Sequence, residues 1–148
     1  MRWTFTEEEK APGWRDIWSI GAGIPGLEVT GRLLWHEALE GRITFEQAVR
    51  WCSENPARIF DLFPRKGALR VGSEADFVLF DPEGTFVFAE ERLLTRARRC
   101  LKHLEGVRLK GTIRSTWVRG RMVFDGQRVL AEEGAGRVLR PGAPAVPA

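Results

Sequence analysis

Pro64-Arg65-Lys66-Gly67-Ala68-Leu69-Arg70-Val71-Gly72-Ser73-Glu74-Ala75-Asp76-Phe77-Val78-Leu79-Phe80-Asp81-Pro82 divides the chain into two kinds of patterning. Before Lys66 the apolar residues recur at helical spacing. After it they come as short runs between turn residues, which is the signature of strands. Phe77-Val78-Leu79-Phe80 is bounded by Asp76 and by Asp81-Pro82, Thr85 to Phe88 follows Gly84, and Ile113 to Val118 leads through Gly120-Arg121 into Met122-Val123-Phe124. Asp125-Gly126 is a strong hairpin dipeptide, and it precedes a further short run from Arg128 to Leu130. Together these runs predict a small antiparallel β-sheet.

On the other side of Lys66 the pattern predicts three helices. Leu27, Leu33, Leu34, Ala38 and Leu39 place apolar groups on one face of a helix framed by Gly26 and Gly41. Thr44 and Gln47 form an S/T-x-x-Q capping box ahead of Phe45, Ala48, Val49 and Cys52. Ser53-Glu54-Asn55-Pro56 reads as a third helix start, followed by Ala57, Ile59, Phe60, Leu62 and Phe63, with Pro64 as the stop. Glu90 to Leu104 fits a helix or an ordered loop. The fold class is therefore α+β: a helical segment over 1–66, a β-rich segment over 67–141 and a flexible tail over 142–148.

The chain has 148 residues, too few for a (β/α)8 barrel of about 250 residues. With 43% hydrophobic and 29% charged residues it has neither the composition of a disordered chain nor a run of about 18 apolar residues that would span a membrane. Arg2, Glu7, Glu8, Glu9 and Lys10 precede any apolar stretch, so no secretory leader is expected and the expected compartment is the cytoplasm. A net charge of +3 is too small to point to nucleic acid. The densest basic run, Arg96, Arg98, Arg99 and Lys102, reads better as a solvated helix face than as a phosphate site. Cys52 and Cys100 lack zinc or redox spacing and are expected to be buried, reduced thiols.

Candidate chemistry is sparse. The two histidines, His36 and His103, have no Cys, Asp or Glu partner at zinc-ligand spacing, and the acidic runs Glu7-Glu8-Glu9 and Glu132-Glu133 read as solvated faces. One segment looks specialised. In Gly21-Ala22-Gly23-Ile24-Pro25-Gly26 three glycines and a proline form a compact loop that exposes backbone groups at a helix N-terminus. Such a loop suits a grip on a polar planar ligand, but from composition alone a plain helix-entry turn is the better explanation, since a lone Gly-rich turn is a weak signal.

Taken in order, Phe5-Thr6-Glu7-Glu8-Glu9-Lys10, Pro12-Gly13-Trp14, Asp16-Ile17-Trp18, Gly23-Ile24-Pro25-Gly26-Leu27-Glu28, Gly41-Arg42-Ile43-Thr44, Ser53-Glu54-Asn55-Pro56-Ala57-Arg58, Pro64-Arg65-Lys66-Gly67, Gly72-Ser73-Glu74-Ala75-Asp76 and Val118-Arg119-Gly120 resemble the cyclic amidohydrolases. These are the dihydroorotase, allantoinase and hydantoinase group. The resemblance implies a metal-dependent TIM-like barrel with a small β-sandwich built from both chain ends, hydrolysing a cyclic amide with metal-activated hydroxide. It equates the helical segment with the end of that barrel and the strands with the C-terminal share of the sandwich.

The family's metal ligands are an HxH pair, a lysine, two further histidines and an aspartate, and nothing in this sequence matches the first five. The aspartate stands in an Asp-His-Ala-Pro motif, and counting back from Phe5 puts Met1 in its place, with Arg2, Trp3 and Thr4 in the other three. The resemblance thus implies a segment with no catalytic residues and no cofactor of its own, zinc belonging to the complete enzyme. It implies a substrate-binding loop at Ala22, Gly23, Ile24, Pro25 and Gly26, where backbone groups at Ala22 and Gly23 meet the cyclic imide. It also implies partners: self-association, or a chain that supplies the missing barrel, with no nucleic acid and no membrane. Without them Leu27, Leu34 and Phe60 and at least one strand edge are expected to lie open.

Overall fold

The computed structural model describes residues 8, 11–19 and 25–142. Within them, helices pack on one side of an open three-stranded antiparallel sheet, and no barrel closes. The α+β expectation holds. Two short 3-10 turns, Ala11–Trp14 and Ile17–Ser19, come first. The Asp16 carboxylate stitches the second by accepting from the Trp18 N–H at 3.1 Å and the Ser19 hydroxyl at 2.8 Å. Trp18 is 91% exposed.

Helix α1 spans Thr30–Leu39 rather than starting at Leu27. Residues 27–29 form a turn hung from the Gly26 carbonyl, which accepts from the N–H groups of Val29 and Thr30 and from the Thr30 hydroxyl. The helix ends where the glycine pattern places it. Gly41, at φ 73°, donates to Ala38 O, and Arg42 donates to Glu37 O, the paired bonds of a Schellman motif.

The capping box forms as expected. Gln47 N–H donates to Thr44 Oγ1 at 3.1 Å, Thr44 N–H donates to Gln47 Oε1 at 2.8 Å, and helix α2 follows over Phe45–Val49. The third helix is not separate. A π-helical turn, Arg50–Glu54, runs unbroken from α2 into helix α3, Asn55–Ile59. Ser53 therefore caps nothing. Pro56 supplies the reason: it has no N–H to offer, and its ring crowds the carbonyl four residues back, so the ladder widens ahead of it instead of breaking. The helix stops at Ile59 rather than at Pro64, because the N–H groups of Leu62 and Phe63 turn back onto Ala57 O once Asp61 adopts φ 53°.

Strand β1 covers Phe77–Val87 and joins what the sequence splits into two runs. It pairs with β2, Arg108–Val118, through a register shift between Asp81 and Thr85. Pro82 cannot donate to a ladder, so the intervening residues bulge out of the pairing and the strand resumes beyond them. Asp81 braces the bulge by accepting from the Glu83 N–H and the Arg114 guanidinium. Arg119 and Gly120, both at positive φ, form a two-residue hairpin into β3, Arg121–Phe124. The run expected after Asp125-Gly126 is only a single bridge, Phe124 to Val129. Asp125 spends its carboxylate on the N–H groups of Gln127 and Arg128, so the chain turns there without extending a ladder.

Between β1 and β2 the chain makes an excursion, residues 88–107, which settles as an ordered loop with 3-10 turns at Glu90–Arg92 and Arg98–Leu104. Its neck is closed by bonds between Phe88 and both Val107 and Gly106. The excursion folds over the main core: Val29, Phe86, Phe88, Leu93, Leu101 and Leu109, with Leu33 and Leu104 against them. Phe86 and Phe88 meet edge to face at 5.0 Å, and Phe88 is 1% exposed. A second aromatic contact, Phe80 with Trp35 and Phe45, binds β1 to α1 and α2. Arg96, Arg98, Arg99 and Lys102 all face solvent on the outside of the excursion.

The thiols differ from expectation. Cys52 is exposed and Cys100 is half-buried, because Cys52 sits in the π turn on the outside of the helix and Cys100 at the rim of the excursion. Leu27 and Phe60 are open, as expected, whereas Leu34 is half-buried. Among the described residues no helix is long and apolar enough to cross a membrane.

Candidate functional site

Of the candidate loop residues, Ala22, Gly23 and Ile24 lie outside the described residues. Pro25 and Gly26 are described and half-buried at the start of α1. Gly26 is the hinge point between loop and helix, since its carbonyl receives the first helical N–H groups at 2.8 and 2.9 Å. Two residues on, the Glu28 carboxylate accepts from the N–H of Leu94 at 3.0 Å and from that of Thr95 at 2.9 Å, joining the loop's exit to the excursion. One turn further, the Arg32 guanidinium lies 4.0 Å above the Phe86 ring. Burial holds the Arg32 pKa below its ordinary value; Glu28 opposes that shift and Arg92, over the same ring, adds to it.

Alongside runs a groove of about 660 Å³ between α1 and the sheet, lined by Leu27, Glu28, Arg32, Trp35, Ile113 and Phe124 among others. Its walls are mainly apolar, with Glu28 and Arg32 at one end. The arrangement sets an apolar trough beside the loop's exit, where the Gly26 carbonyl and the Leu94 and Thr95 N–H groups are already taken up within the chain.

A second polar cluster was not singled out as a group by sequence reasoning. Arg65 Nε donates to Glu74 Oε1 at 2.6 Å, Lys66 Nζ reaches Glu74 Oε2 at 2.6 Å and also Asp76, and the Arg119 N–H donates to Asp76 Oδ1 at 2.8 Å. Ser73 Oγ donates to Pro64 O, and the Gly120 N–H donates to Ala75 O. The hydrogen bond from Lys66 holds the Glu74 carboxyl below its ordinary range, with burial opposing and Arg65 adding. Every charge here is turned toward a partner, so the cluster clasps residues 64–67 to 73–76 and to the β2–β3 turn. Its chemistry is structural.

Zinc, which the resemblance assigns to the complete enzyme, does not fit this donor set. Among the described residues no three His, Cys, Asp or Glu side chains converge. His36 is committed elsewhere, its Nδ1 accepting from the Lys110 N–H at 3.1 Å and so fastening α1 to β2. Glu74 and Asp76 are held by cations, and His103 sits half-buried on the excursion. No catalytic step through a metal is derived from these residues.

Comparison with known proteins agrees with the motif order. L-hydantoinase from Paenarthrobacter aurescens is 36% identical over 134 residues, 89% of this chain and 29% of that protein. Dihydroorotase from Methanosphaera stadtmanae is 39% identical over 95 residues, 64% of this chain and 21% of that protein. The solved D-hydantoinase (dihydropyrimidinase) of a Thermus species aligns with a TM-score of 0.79 at 30% identity, over 95% of this chain and 30% of that one. The chain thus spans less than a third of the length of these relatives. Residues 23–123 match the Amidohydrolase family, and with cyclic amidohydrolases as its relatives in both sequence and fold, the chain belongs to that family.

Proposed function

We propose that this chain is the C-terminal part of a metal-dependent cyclic amidohydrolase, an enzyme that hydrolyses the C–N bond of a cyclic amide, and that it is inactive alone. The observation that carries the reading is the alignment of 95% of the chain with under a third of a D-hydantoinase at a TM-score of 0.79. In this reading Ala22, Gly23, Ile24, Pro25 and Gly26 present backbone N–H and C=O groups to the ring's imide edge, and the sheet sits beside the barrel that the rest of the enzyme supplies. That barrel carries the metal, since hydrolysis by a bound metal needs several fixed ligands plus an open position for water. The reading also places the chain in the cytoplasm, where an exposed thiol such as Cys52 stays reduced.

The test is turnover of a hydantoin and of dihydroorotate by the purified chain, alone and mixed with a barrel polypeptide that carries the HxH pair. No turnover alone and turnover on mixing is the expected result. Stoichiometric zinc and turnover from the chain by itself would refute the proposal.

A second reading, a non-catalytic interaction or oligomerisation module, is favoured by the open apolar surface: Leu27 is 102% exposed, and Trp14, Trp18, Ile59 and Phe60 are exposed with it. Co-purification of the barrel polypeptide without any gain in turnover would select this reading.

Both readings share one expectation. In the sheet order β1-β2-β3, β1 pairs on one side only among the described residues, leaving an eleven-residue strand edge beside exposed Val78 and Leu79. Open strand edges and apolar patches recruit partners. Light scattering over a concentration series should therefore show self-association that a barrel polypeptide suppresses, and a compact monomer at every concentration would count against it.

A further inference from the structure

Leu94 and Thr95 lie between the two 3-10 turns of the excursion, where no ladder takes up their N–H groups, and both donate to the carboxylate of Glu28, 66 and 67 residues away in sequence. Leu94 lies within reach of both Glu28 oxygens, at 3.1 and 3.0 Å. On one side of Glu28 is Val29, 4% exposed in the main core. Two residues to the other side is Gly26, whose carbonyl is already fixed by the helix start. The backbone at the loop's exit is therefore held from the helix, from the core and from the excursion at once.

We propose that Glu28 is a positioning residue: it locks Pro25 and Gly26 to the Leu94–Thr95 backbone, so that the excursion, and not α1 alone, sets where Pro25 and Gly26 stand. The proposal rests on the reading of that loop as the substrate-facing element. A carboxylate is the side chain the geometry calls for, because it accepts two N–H groups without presenting a donor to either, and charge-assisted bonds of this kind are stronger than neutral ones. Glutamine leaves only one accepting oxygen and turns an NH₂ group toward a second donor. Arg32 on α1 and Arg92 on the excursion both stand over the Phe86 ring, one turn beyond Glu28 and two residues before Leu94. The excursion's own carboxylates are Glu90, Glu91 and Glu105, and Glu105 is engaged at the neck with the Glu90 N–H.

Amide NMR on the full chain tests this. In the unsubstituted chain the Leu94 and Thr95 amide protons should both exchange slowly, since both are held by the Glu28 carboxylate. In Glu28→Ala their hydrogen exchange should quicken roughly tenfold while Leu109 in the core keeps its protection, and Glu28→Gln should fall between. The Gly26 and Leu27 resonances should move in both variants, which a purely local effect on the excursion would not produce. Unchanged exchange of Leu94 and Thr95 in Glu28→Ala, or Gly26 and Leu27 resonances that stay in place, overturns the proposal; if Glu28→Ala does not fold, Glu28→Gln decides it by the same two readouts. Adding hydantoin separates the two ideas. Ring-induced shifts at Gly26 and Leu27 bear on the loop as a binding element, and their absence alongside quickened Leu94 and Thr95 exchange in the variants would reject that reading while leaving the lock in place.

Discussion

Gly67→Ala is expected to destabilise the chain by about 4 kcal/mol, a large share of the roughly 5–15 kcal/mol that holds a domain folded. Gly67 has φ 78°, and a Cβ there would stand 2.6 Å from Ala57 Cβ, 2.8 Å from the Ser53 carbonyl oxygen and 3.1 Å from Glu54 Cα. Two of these neighbours are backbone of the π turn, whose position is already dictated by Pro56, so the clash cannot be relieved by turning a side chain. Gly120→Ala is the comparison. Gly120 is also left-handed, at φ 72°, but nothing lies within 4 Å of its Cβ position, so the cost there should be about 1 kcal/mol. Urea denaturation of both variants checks the pair, and equal midpoints would show that residues 64–67 do not press on the helix as the structure has them.

Lys66→Ala is expected to cost about 3 kcal/mol, because it leaves Glu74 with Arg65 alone and Asp76 with only the Arg119 N–H, in a site where the Lys66 and Glu74 side chains are only 17% and 11% exposed. It should also change how stability depends on pH. The Glu74 carboxyl is held below its ordinary range by Lys66, so the folded state binds a proton less readily than the unfolded one. The stability this contributes is present above the ordinary glutamate range and is lost as pH falls through that range toward the folded value. Without Lys66 that acid-side loss should shrink. Denaturant midpoints measured from neutral to acid pH test both parts: a Lys66→Ala chain with an unchanged midpoint and an unchanged acid limb would refute the clasp. By contrast, Arg42→Ala at the solvent-exposed Arg42–Glu37 pair should leave the neutral midpoint nearly where it was.

These two positions lie in the stretch from Pro64 to Pro82, whose patterning alone marked the boundary between helices and sheet, yet nothing in that patterning announced a buried ion cluster. Arg65, Lys66, Glu74 and Asp76 read singly as ordinary surface charges. They become a clasp because the chain reverses between them and brings Arg119 onto Asp76 across 43 residues.

What the sequence by itself determined were the features whose physics is local. The Thr44–Gln47 box, the Gly41 stop and the short apolar strand runs are each complete within a few residues, and the structure contains them. The tertiary structure alone decided the rest. Pro56 widens a helix instead of starting one because α2 delivers the chain to it already coiled, and Pro82 bulges from β1 instead of ending it because β2 holds both flanks. Cys52 lies outside because the π turn rotates it there. At the candidate site, Pro25 and Gly26 were legible as a loop exit, but the bond of Glu28 to Leu94 and Thr95 spans 66 and 67 residues. Hydrogen bonds of that reach depend on where the excursion lands over Val29 and Phe86, and that is set by the packing of the whole core and not by any local run of residues.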